Sequence, residues 1–508
     1  MAARPTRPMT FRIDRCPSHQ KASVHPGGGH SLSIGGPYAG RKEHVVQISP
    51  SPTAVSVAQL RTEVTGRVIG PEDPDYDAAR TVVAGGIDRR PAVIVRVADT
   101  IDVARVISLA RDTGLELAVR CGGHSGAAHG VVDDGIVLDV RDLRDLDIDI
   151  EGHTAWAGAG LTAGEYTGAA GAHGLATGFG DTGSVGLGGI TTGGGIGYLV
   201  RKYGMTIDSL VAAEIVTADG EVRLVDADHE PDLFWAIRGG GGNFGVLTRF
   251  QFRLQDVPSI VGGMLLLPAT PDTIAGFIAA SEAAPEELST IANVMPAPPM
   301  PFLAEEHHGK VSIMALICYA GDAEAGQRAI APLRALATPL ADMVRPMTYP
   351  EIYPPEGGED YHPIASVRTM FVDRVDRDVA ETILEHIGES NADMAVAQLR
   401  VLGGAMARVP ADATAFAHRT SRIMVNLAAI YGSAEQKPTH EAWVTRFRDA
   451  LRQGDNGAYV NFVGDEGEEG VRAAYPDPAW ARLAAIKRRY DPTNLFHLNQ
   501  NIPPAVGG

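Results

Sequence analysis

The sequence predicts an α+β protein with more than one domain. A strand–helix–strand unit covers residues 91–119, and the pattern of predicted elements changes near residue 256. From there, long helical stretches alternate with strands, which is typical of one antiparallel sheet with helices on a face. At 508 residues, the chain is also too long for a single ordinary hydrophobic core. These observations predict an N-terminal part around the strand–helix–strand unit and a second part built on an antiparallel sheet.

The strand–helix–strand unit is the clearest local pattern. Residues 91–97 and 115–119 are apolar runs of strand length. The stretch between them opens at the N-cap candidates Asp99 and Thr100 and stops at Gly114. Its apolar residues recur at helical spacing, at Val103, Val106, Ile107 and Ala110. The second strand therefore runs directly into the turn Cys121-Gly122-Gly123-His124.

The remaining elements follow from the same periodicities. In the first part, further strands are predicted at residues 135–140, 154–159, 210–217, 221–225 and 246–254, with helices at 162–171 and 231–237. In the second part, helices are predicted at residues 272–284, 323–344, 377–389 and 440–453, and strands at 311–319, 395–401 and 422–431. A last helix is predicted at residues 478–489.

Charge and composition exclude some classes of partner. Lys and Arg total 44 against 62 Asp and Glu, a formal net charge of -18, which repels nucleic acids and anionic membrane surfaces. The cysteines at 16, 121 and 318 lack metal-ligand spacing and form no disulfide framework, as expected in a reducing compartment. There is no apolar membrane-length run and no signal-peptide core. We therefore expect a cytoplasmic protein without a bound metal, whose residues 1–50 form a poorly ordered extension.

Two glycine-rich segments deserve different interpretations. Residues 240–245 match the dinucleotide pattern G-x-G-x-x-G, but a predicted helix precedes them and a strand follows, the reverse of the context that this site needs. Residues 183–197 are denser in glycine and interleaved with apolar residues such as Val185 and Ile190, unlike a flexible linker. Backbone of this kind lets several N–H groups converge on an anion or a ring. This second segment is therefore predicted to hold part of a ligand.

His124 is the candidate functional residue of the first loop. A histidine after glycines is most often a turn residue, but His124 lies on a glycine turn that follows a buried strand, where a cofactor-facing loop would lie. Its neighbour Cys121 is interpreted as a small apolar residue.

Five ordered motifs carry a resemblance to a known family. They are Arg120-Cys-Gly-Gly-His124-Ser, the glycine run from Gly186 to Gly197, Arg201-Lys-Tyr-Gly204, the stretch from Asp232 to Val246, and the C-terminal stretch from Tyr490 to Pro504. Together they resemble the vanillyl-alcohol-oxidase/PCMH flavoprotein superfamily, in its berberine-bridge-enzyme-like and 6-hydroxynicotine-oxidase-like branch. The resemblance implies a two-part PCMH-type FAD-binding domain at residues 51–255, a substrate-binding domain at 256–454, and a C-terminal segment at 455–508 that returns to the FAD domain.

The resemblance also implies how FAD is held. In this family, the histidine of the first loop bonds covalently to the flavin 8α-methyl group, a role that falls on His124. Many relatives add a second bond from a cysteine, but Thr182 stands at that position here. The expected cofactor is therefore a monocovalent 8α-histidyl FAD. The cofactor-binding residues expected with His124 are Arg120, Cys121, Gly122, Gly123, Ser125, Gly126, Thr182, Gly183, Ser184, Val185, Gly188, Gly189, Thr192, Gly195, Ile196, Gly245, Val246, Tyr459, Asn461, Asn499 and Asn501.

The implied activity is an oxidase reaction on a small molecule. Hydride passes from a substrate carbon to the flavin, and oxygen reoxidises the flavin to give hydrogen peroxide. Val185, at the position that controls oxygen access, favours an oxidase over a dehydrogenase. Tyr459, in a motif expected on a strand, is the candidate for deprotonating or orienting the substrate, and a base role would require a lowered pKa. Ile196 replaces a tyrosine that is often found in relatives.

The substrate remains open at this point. A C–O bond of an alcohol, sugar or hydroxylated natural product is the leading expectation, and a C–N bond of an amine or alkaloid is the rival. A dehydrogenase with another electron acceptor is the third alternative. The oligomeric state is not predicted. Gln398, Arg400, His418 and Tyr431 lie on predicted strands or their ends and are interpreted as structural.

Overall fold

The computed structural model describes residues 56–353 and 361–506, and the predicted N-terminal extension lies outside them. Within the described residues the fold is α+β, as predicted, with two small sheets and a separate two-stranded pair in the first half and one large antiparallel sheet in the second. None of the helices in these ranges is long and apolar enough to cross a membrane.

The first small sheet contains the predicted strand–helix–strand unit. Its strand order is β1-β2-β4-β3, and β4 is parallel to both of its neighbours. The two strands of the unit therefore flank β4 instead of pairing with each other. Asp99 caps the connecting helix and Gly114 ends it at a φ of 69°, as the sequence predicts. The elements are α1 (Val57–Glu63), β1 (Arg67–Ile69), α2 (Tyr76–Arg80), β2 (Val93–Arg96), α3 (Thr100–Thr113), β3 (Leu117–Arg120) and β4 (Ile136–Asp139).

The second small sheet is antiparallel, with the order β5-β6-β10-β8-β9. Its apolar side chains join those of the first sheet in one core. The elements are β5 (Leu146–Asp149), β6 (Thr154–Gly158), α4 (Ala163–Gly171), β7 (Leu175–Ala176), α5 (Leu187–Gly193), α6 (Val200–Tyr203), β8 (Leu210–Val216), β9 (Val222–Asp226), α7 (Pro231–Ile237), β10 (Val246–Arg253) and β11 (Gln255–Asp256), of which β7 pairs with β11.

The large sheet has the order β15-β12-β14-β13-β18-β19-β17, and β16 also pairs with β12. Its elements are β12 (Ile260–Pro268), α8 (Pro271–Ala283), β13 (Leu288–Pro296), β14 (Val311–Tyr319), α9 (Ala323–Arg334), β15 (Ala341–Asp342), β16 (Arg345–Met347), β17 (Ile364–Val372), α10 (Arg377–Glu389), β18 (Met394–Val401), α11 (Ala405–Arg408), β19 (Ile423–Tyr431) and α12 (Lys437–Leu451). Short 3-10 turns occur at Thr206–Asp208, Glu305–His307, Tyr349–Ile352, Ala434–Gln436 and Val460–Phe462.

The two faces of the large sheet have different environments. On β18, Ala397, Leu399 and Val401 belong to the core shared with the covering helices. Because side chains alternate along a strand, Gln398 and Arg400 lie on the opposite face. On that face, apolar residues of the sheet pack against residues of the first half, for example Ile291 with the cluster that contains Tyr198 and Leu199. The second half thus presents polar side chains of β18 toward the first half.

Two predictions about local structure were wrong. The helix predicted for residues 323–344 ends at Arg334, because the backbone beyond it pairs with β12 as the edge strands β15 and β16. Pro339, which has no N–H, stands between the helix and these strands. Tyr459 does not lie on a strand but precedes the 3-10 turn Val460–Phe462.

The C-terminal segment packs against the first half of the chain. It contains α13 (Gly467–Ala474) and α14 (Asp477–Tyr490). Leu483 and Ile486 of α14 share an apolar core with Trp235 and Phe244. The segment after α14 then runs beside residues 241–243, to which Asn499 and Ile502 are hydrogen-bonded. The end of the chain therefore helps to build the region that the glycine-rich segments form.

Candidate active site

A cavity of about 390 Å³ lies where the predicted loops meet, within the range of small-molecule and cofactor sites. Its walls come from five segments of the chain, at residues 117–130, 180–196, 241–247, 459–463 and 496–500, and from Val140. The first of these segments contains β3 and the loop that begins at Cys121, directly after the carboxyl end of the strand. Segments distant in sequence therefore converge on one cavity.

The first two loops touch through their backbones. A Cβ added at Gly186 would lie 2.1 Å from Cys121 Sγ and 2.5 Å from the backbone nitrogen of Gly122. A Cβ at Gly122 would in turn lie 2.5 Å from the nitrogen of Gly186. Only glycine fits at these two positions, so the glycine clusters of the sequence are explained here by close packing of two chain segments.

His124 lies half-buried in the cavity wall, next to this contact. Its Nε2 atom is 3.0 Å from the hydroxyl of Ser184, which belongs to the second loop. Ser184 itself is not part of the wall. The second loop therefore orients the histidine that the sequence singles out in the first.

Arg120 and Cys121 have structural partners. The guanidinium of Arg120 donates hydrogen bonds to the carbonyls of Ala79 and Thr81, and burial lowers its pKa to about 10. The Cys121 thiol donates to the carbonyl of Ala159 at 2.9 Å, and burial raises its pKa to about 11. The thiol therefore stays protonated at neutral pH, which agrees with the interpretation of Cys121 as a packing residue.

Tyr459 is buried in the cavity wall, and its hydroxyl oxygen accepts two hydrogen bonds. The backbone N–H of Gly195 donates to it at 2.9 Å and the side-chain amide of Asn461 at 3.0 Å. Burial nevertheless raises the pKa of the phenol, the opposite of what a base role requires. Tyr459 thus keeps its proton at neutral pH and can donate it in a hydrogen bond.

Most residues predicted from the sequence line one cavity. In its wall are Arg120, Cys121, Gly122, Gly123, His124, Ser125, Thr182, Val185, Gly188, Gly189, Thr192, Ile196, Gly245, Val246, Tyr459, Asn461 and Asn499. Behind the wall or beside it are Gly126, Gly183, Ser184, Gly195 and Asn501. Two of these five contact wall residues directly, since Ser184 holds His124 and Gly195 holds Tyr459.

Sequence reasoning missed several polar residues of the wall. Asp181 stands directly before Thr182, and its carboxylate forms an ion pair with Arg400. His129 lies five positions after His124, and burial lowers its pKa to about 4, so it is neutral at physiological pH. Position beside a predicted loop is the only signal that marks either residue in the sequence. Two further wall residues, the polar Gln500 and the aromatic Phe462, were also missed, although each is next to a predicted residue.

Known proteins resemble both halves of the chain. A family model described as "FAD binding domain" matches residues 91–226, and one described as "Berberine and berberine like" matches residues 458–503. (R)-6-hydroxynicotine oxidase of Paenarthrobacter nicotinovorans is 31% identical over 461 residues, which cover 87% of this chain and 97% of that protein. The chain belongs to the berberine-bridge-enzyme-like family of FAD-linked oxidoreductases. Berberine bridge enzyme-like 17 of Arabidopsis thaliana is 28% identical over 466 residues, covering 82% of this chain and 86% of that protein.

Solved structures agree with this assignment. The crystal structure of 6-hydroxy-D-nicotine oxidase from Arthrobacter nicotinovorans superposes with a TM-score of 0.78 at 28% identity, covering 87% of this chain and 98% of that one. Physcomitrella patens BBE-like 1 has a TM-score of 0.80 at 21% identity, covering 89% of this chain and all of that one, and shows the shared fold. The predicted family, fold class and enzymatic nature of the chain are thus confirmed. The proposed domain boundaries stay predictions.

The cavity fits FAD, the cofactor of this family. A Cβ at Gly189 or at Gly242 would meet no atom within 4 Å, although both residues line the cavity, so the bare backbone leaves room for a large ligand. The side-chain oxygen of Asn499 is buried and has no hydrogen-bond partner within the described residues. A buried acceptor of this kind indicates a ligand with an N–H or O–H group, which a flavin and its ribityl chain provide.

Proposed function

We propose that this protein is an oxidase that carries FAD covalently on His124 and oxidises a small organic molecule. The observation that carries the proposal is the position of His124, in the wall of the cavity and held by Ser184. Similarity over 87% of this chain to an enzyme named (R)-6-hydroxynicotine oxidase supports its assignment as an oxidase.

The residues of the cavity have separate tasks in this proposal. Bound FAD supplies a hydride acceptor and passes the electrons to oxygen, which gives hydrogen peroxide. His124 tethers the cofactor through one ring nitrogen, and Thr182, which is no thiol, leaves this the single covalent bond. Val185 lines the cavity at the position that governs oxygen access. Tyr459 orients the substrate by donating a hydrogen bond from its protonated hydroxyl.

Two substrate classes follow from different observations. The leading expectation from the sequence is oxidation of a C–O bond of an alcohol, a sugar or a hydroxylated natural product, although the flavin motifs are common to both classes. Similarity over 87% of the chain to an enzyme named for 6-hydroxynicotine favours an amine or alkaloid, with oxidation of a C–N bond. Oxygen consumption and peroxide release with glucose, cellobiose, a benzylic alcohol and 6-hydroxynicotine separate the classes. Reduced flavin that persists in air would point to a dehydrogenase with another acceptor.

The covalent bond is expected to survive denaturation. Protein precipitated with acid should retain its yellow colour, because the flavin is attached to the chain and cannot diffuse away. His124→Ala should release all of its flavin into the supernatant under the same conditions. The measurement is the flavin absorbance of the washed pellet and of the supernatant, relative to protein. A colourless wild-type pellet would contradict the proposed tether.

Ser184→Ala is expected to slow the attachment of FAD by about fivefold, since loss of one hydrogen bond is worth about 1 kcal/mol. The hydroxyl of Ser184 lies 3.0 Å from Nε2 of His124, and its removal takes away one contact that orients the imidazole. Attachment is followed by adding FAD to apoprotein and quenching samples in acid over time. Ser184→Thr keeps the hydroxyl and is the matched control. Equal rates for the alanine variant and the wild type would show that this contact does not assist attachment.

A further inference from the structure

We propose that Asp181, held in place by Arg400, is the group that takes the proton from the substrate's reacting O–H or N–H. The inference rests on the proposed function and adds to it the residue that manages the proton. It concerns two residues that sequence reasoning had left out of the site or interpreted as structural.

Asp181 is the one carboxylate among the cavity-lining residues in the described part of the chain. Its side chain is 20% exposed, and it belongs to the wall that also contains His124 and Tyr459. The backbone carbonyl of Asp181 accepts a hydrogen bond from Tyr198 at 3.4 Å. A carboxylate that is fixed in position and open to the cavity has the geometry of a general base.

Arg400 determines how this carboxylate is oriented. It lies on the face of β18 that is turned away from the helices, and its side chain is only 4% exposed. Its guanidinium donates to Asp181 Oδ2 at 2.6 Å and to the carbonyl of Ile196 at 3.1 Å. Within the described residues, the other carboxylate oxygen of Asp181 makes no hydrogen bond, so it is available to a substrate.

A second layer of contacts fixes Arg400. The side-chain oxygen of Gln398 accepts from Arg400 Nε at 2.9 Å, and its amide nitrogen donates to Asn293 Oδ1 at 2.9 Å. Asn293 in turn donates to the carbonyl of Met314. This chain of hydrogen bonds crosses three strands of the large sheet and ends at the cavity. Such support is what keeps a functional group in one orientation.

Asp181 and Tyr459 lie at the same end of the cavity. Arg400 binds the carbonyl of Ile196, and the N–H of the preceding residue, Gly195, binds the hydroxyl of Tyr459. The guanidinium of Arg400 also lies 5.2 Å from the ring centre of Phe462, whose ring is 5.2 Å from that of Tyr459. A substrate between these residues would meet a hydrogen-bond donor, a carboxylate and an aromatic wall.

Of the alternatives within the cavity, two hold their proton at neutral pH, one has another proposed role and one is a rival. Tyr459 holds its proton because burial raises its pKa, and burial also keeps the Cys121 thiol protonated, with a pKa of about 11. His124 is the proposed tether. His129 is neutral, because burial lowers its pKa to about 4, and it is the rival that an experiment must separate from Asp181.

The proposed step transfers a hydride to the flavin and a proton to Asp181. The substrate C–H bond breaks, and its electron pair leaves with the hydrogen as hydride to the flavin. The O–H or N–H bond breaks, its electron pair forms the new C=O or C=N bond, and its proton passes to the free oxygen of Asp181. Oxygen then takes up the hydride equivalent and the proton as hydrogen peroxide, which restores the oxidised flavin and the carboxylate.

The test uses the holoenzyme of Asp181→Asn and, as a control, of His129→Asn. Anaerobic stopped-flow follows flavin bleaching with the best substrate of the panel named above, so the result does not depend on the electron acceptor. For Asp181→Asn we expect reduction to slow by about 10²–10⁴-fold and the acidic limb of its pH profile to disappear. Covalent flavin content should stay at the wild-type level, and His129→Asn should keep the limb. In Asp181→Ala, formate should restore part of the rate.

Two further readouts separate the inference from a structural role and from the proposed function. A pH titration of the oxidised flavin spectrum needs no substrate, and Asp181→Asn should abolish a transition that the wild type shows at acidic pH. An acidic limb and a spectral transition that both persist in Asp181→Asn, or that vanish in His129→Asn instead, would overturn the inference. Failure of the proposed function itself would be visible separately, as wild-type protein without covalent flavin.

Discussion

Replacing Lys487 with Met is expected to lower the free energy of unfolding by about 3–5 kcal/mol. Lys487 and Asp491 form an ion pair in which both side chains are completely buried. The ammonium group of Lys487 also donates to the carbonyls of Asn243 and Phe496. The substitution leaves Asp491 charged without its cation and removes the ammonium donor from both carbonyls, of which that of Phe496 keeps a hydrogen bond from Asn499. The loss should be large because each of these groups is shielded from water.

An exposed pair of the same spacing provides the matched control. Lys437 and Glu441 are also four residues apart on a helix, but their side chains are 57% and 39% exposed. Lys437→Met should change the free energy of unfolding by less than about 0.5 kcal/mol. Both variants are compared with the wild type by urea unfolding of the holoprotein, followed by tryptophan fluorescence. Equal effects of the two substitutions would show that burial of the Lys487 pair is not what stabilises the C-terminal segment.

The same ion pair links stability to the cofactor site. Asn243 stands between Gly242 and the strand β10, and Phe496 lies in the cavity wall. Lys487 therefore connects α14 to two segments that line the cavity, those around Asn243 and Phe496. Lys487→Met should accordingly reduce the fraction of protein that contains covalent flavin when it is expressed at elevated temperature.

Elements with strong local signals were predicted accurately from the sequence. Helix α10 has the predicted bounds, Arg377–Glu389, because its apolar residues Ala380, Ile383 and Ile387 recur at helical spacing and all pack into one core. The predicted helix 323–344 was too long for the opposite reason. Beyond Arg334 the backbone pairs with β12, and this pairing decides the structure of residues that were predicted as helix. Tertiary hydrogen bonds of this kind leave no local pattern in the sequence.

The candidate site also contains residues that could be predicted from the sequence and residues that could not. The two glycine-rich loops could be predicted because close backbone contact demands glycine at positions such as Gly122 and Gly186. The pair of Asp181 and Arg400 could not, since 219 positions separate the two residues and they meet only where the large sheet packs against a loop of the first half. Nothing in the local sequence distinguishes either residue from other charged residues of the chain. Likewise, the raised pKa of Tyr459 depends on burial by distant segments.

Gly186→Ala is expected to abolish covalent flavin. The new methyl group would lie 2.1 Å from Cys121 Sγ and 2.5 Å from the backbone nitrogen of Gly122, far inside contact distance. The thiol can rotate, but the backbone nitrogen cannot, so the two loops must separate. Overpacking of this kind costs about 1–3 kcal/mol, and here it also moves Ser184 away from His124. The measurement is flavin absorbance in the acid-precipitated protein, with thermal unfolding as a measure of stability.

Gly126→Ala is the matched control, because a Cβ at Gly126 would meet no atom within 4 Å and the residue is exposed. It makes the same chemical change two residues after His124, and we expect normal flavin content and stability. If Gly186→Ala also kept its flavin, the contact between the loops would not be needed to place His124. If Gly186→Ala lost its flavin and Gly126→Ala did not, attachment would require close approach of the two loops in addition to the histidine itself. The glycines would then act in the covalent step by setting the distance between Ser184 and His124.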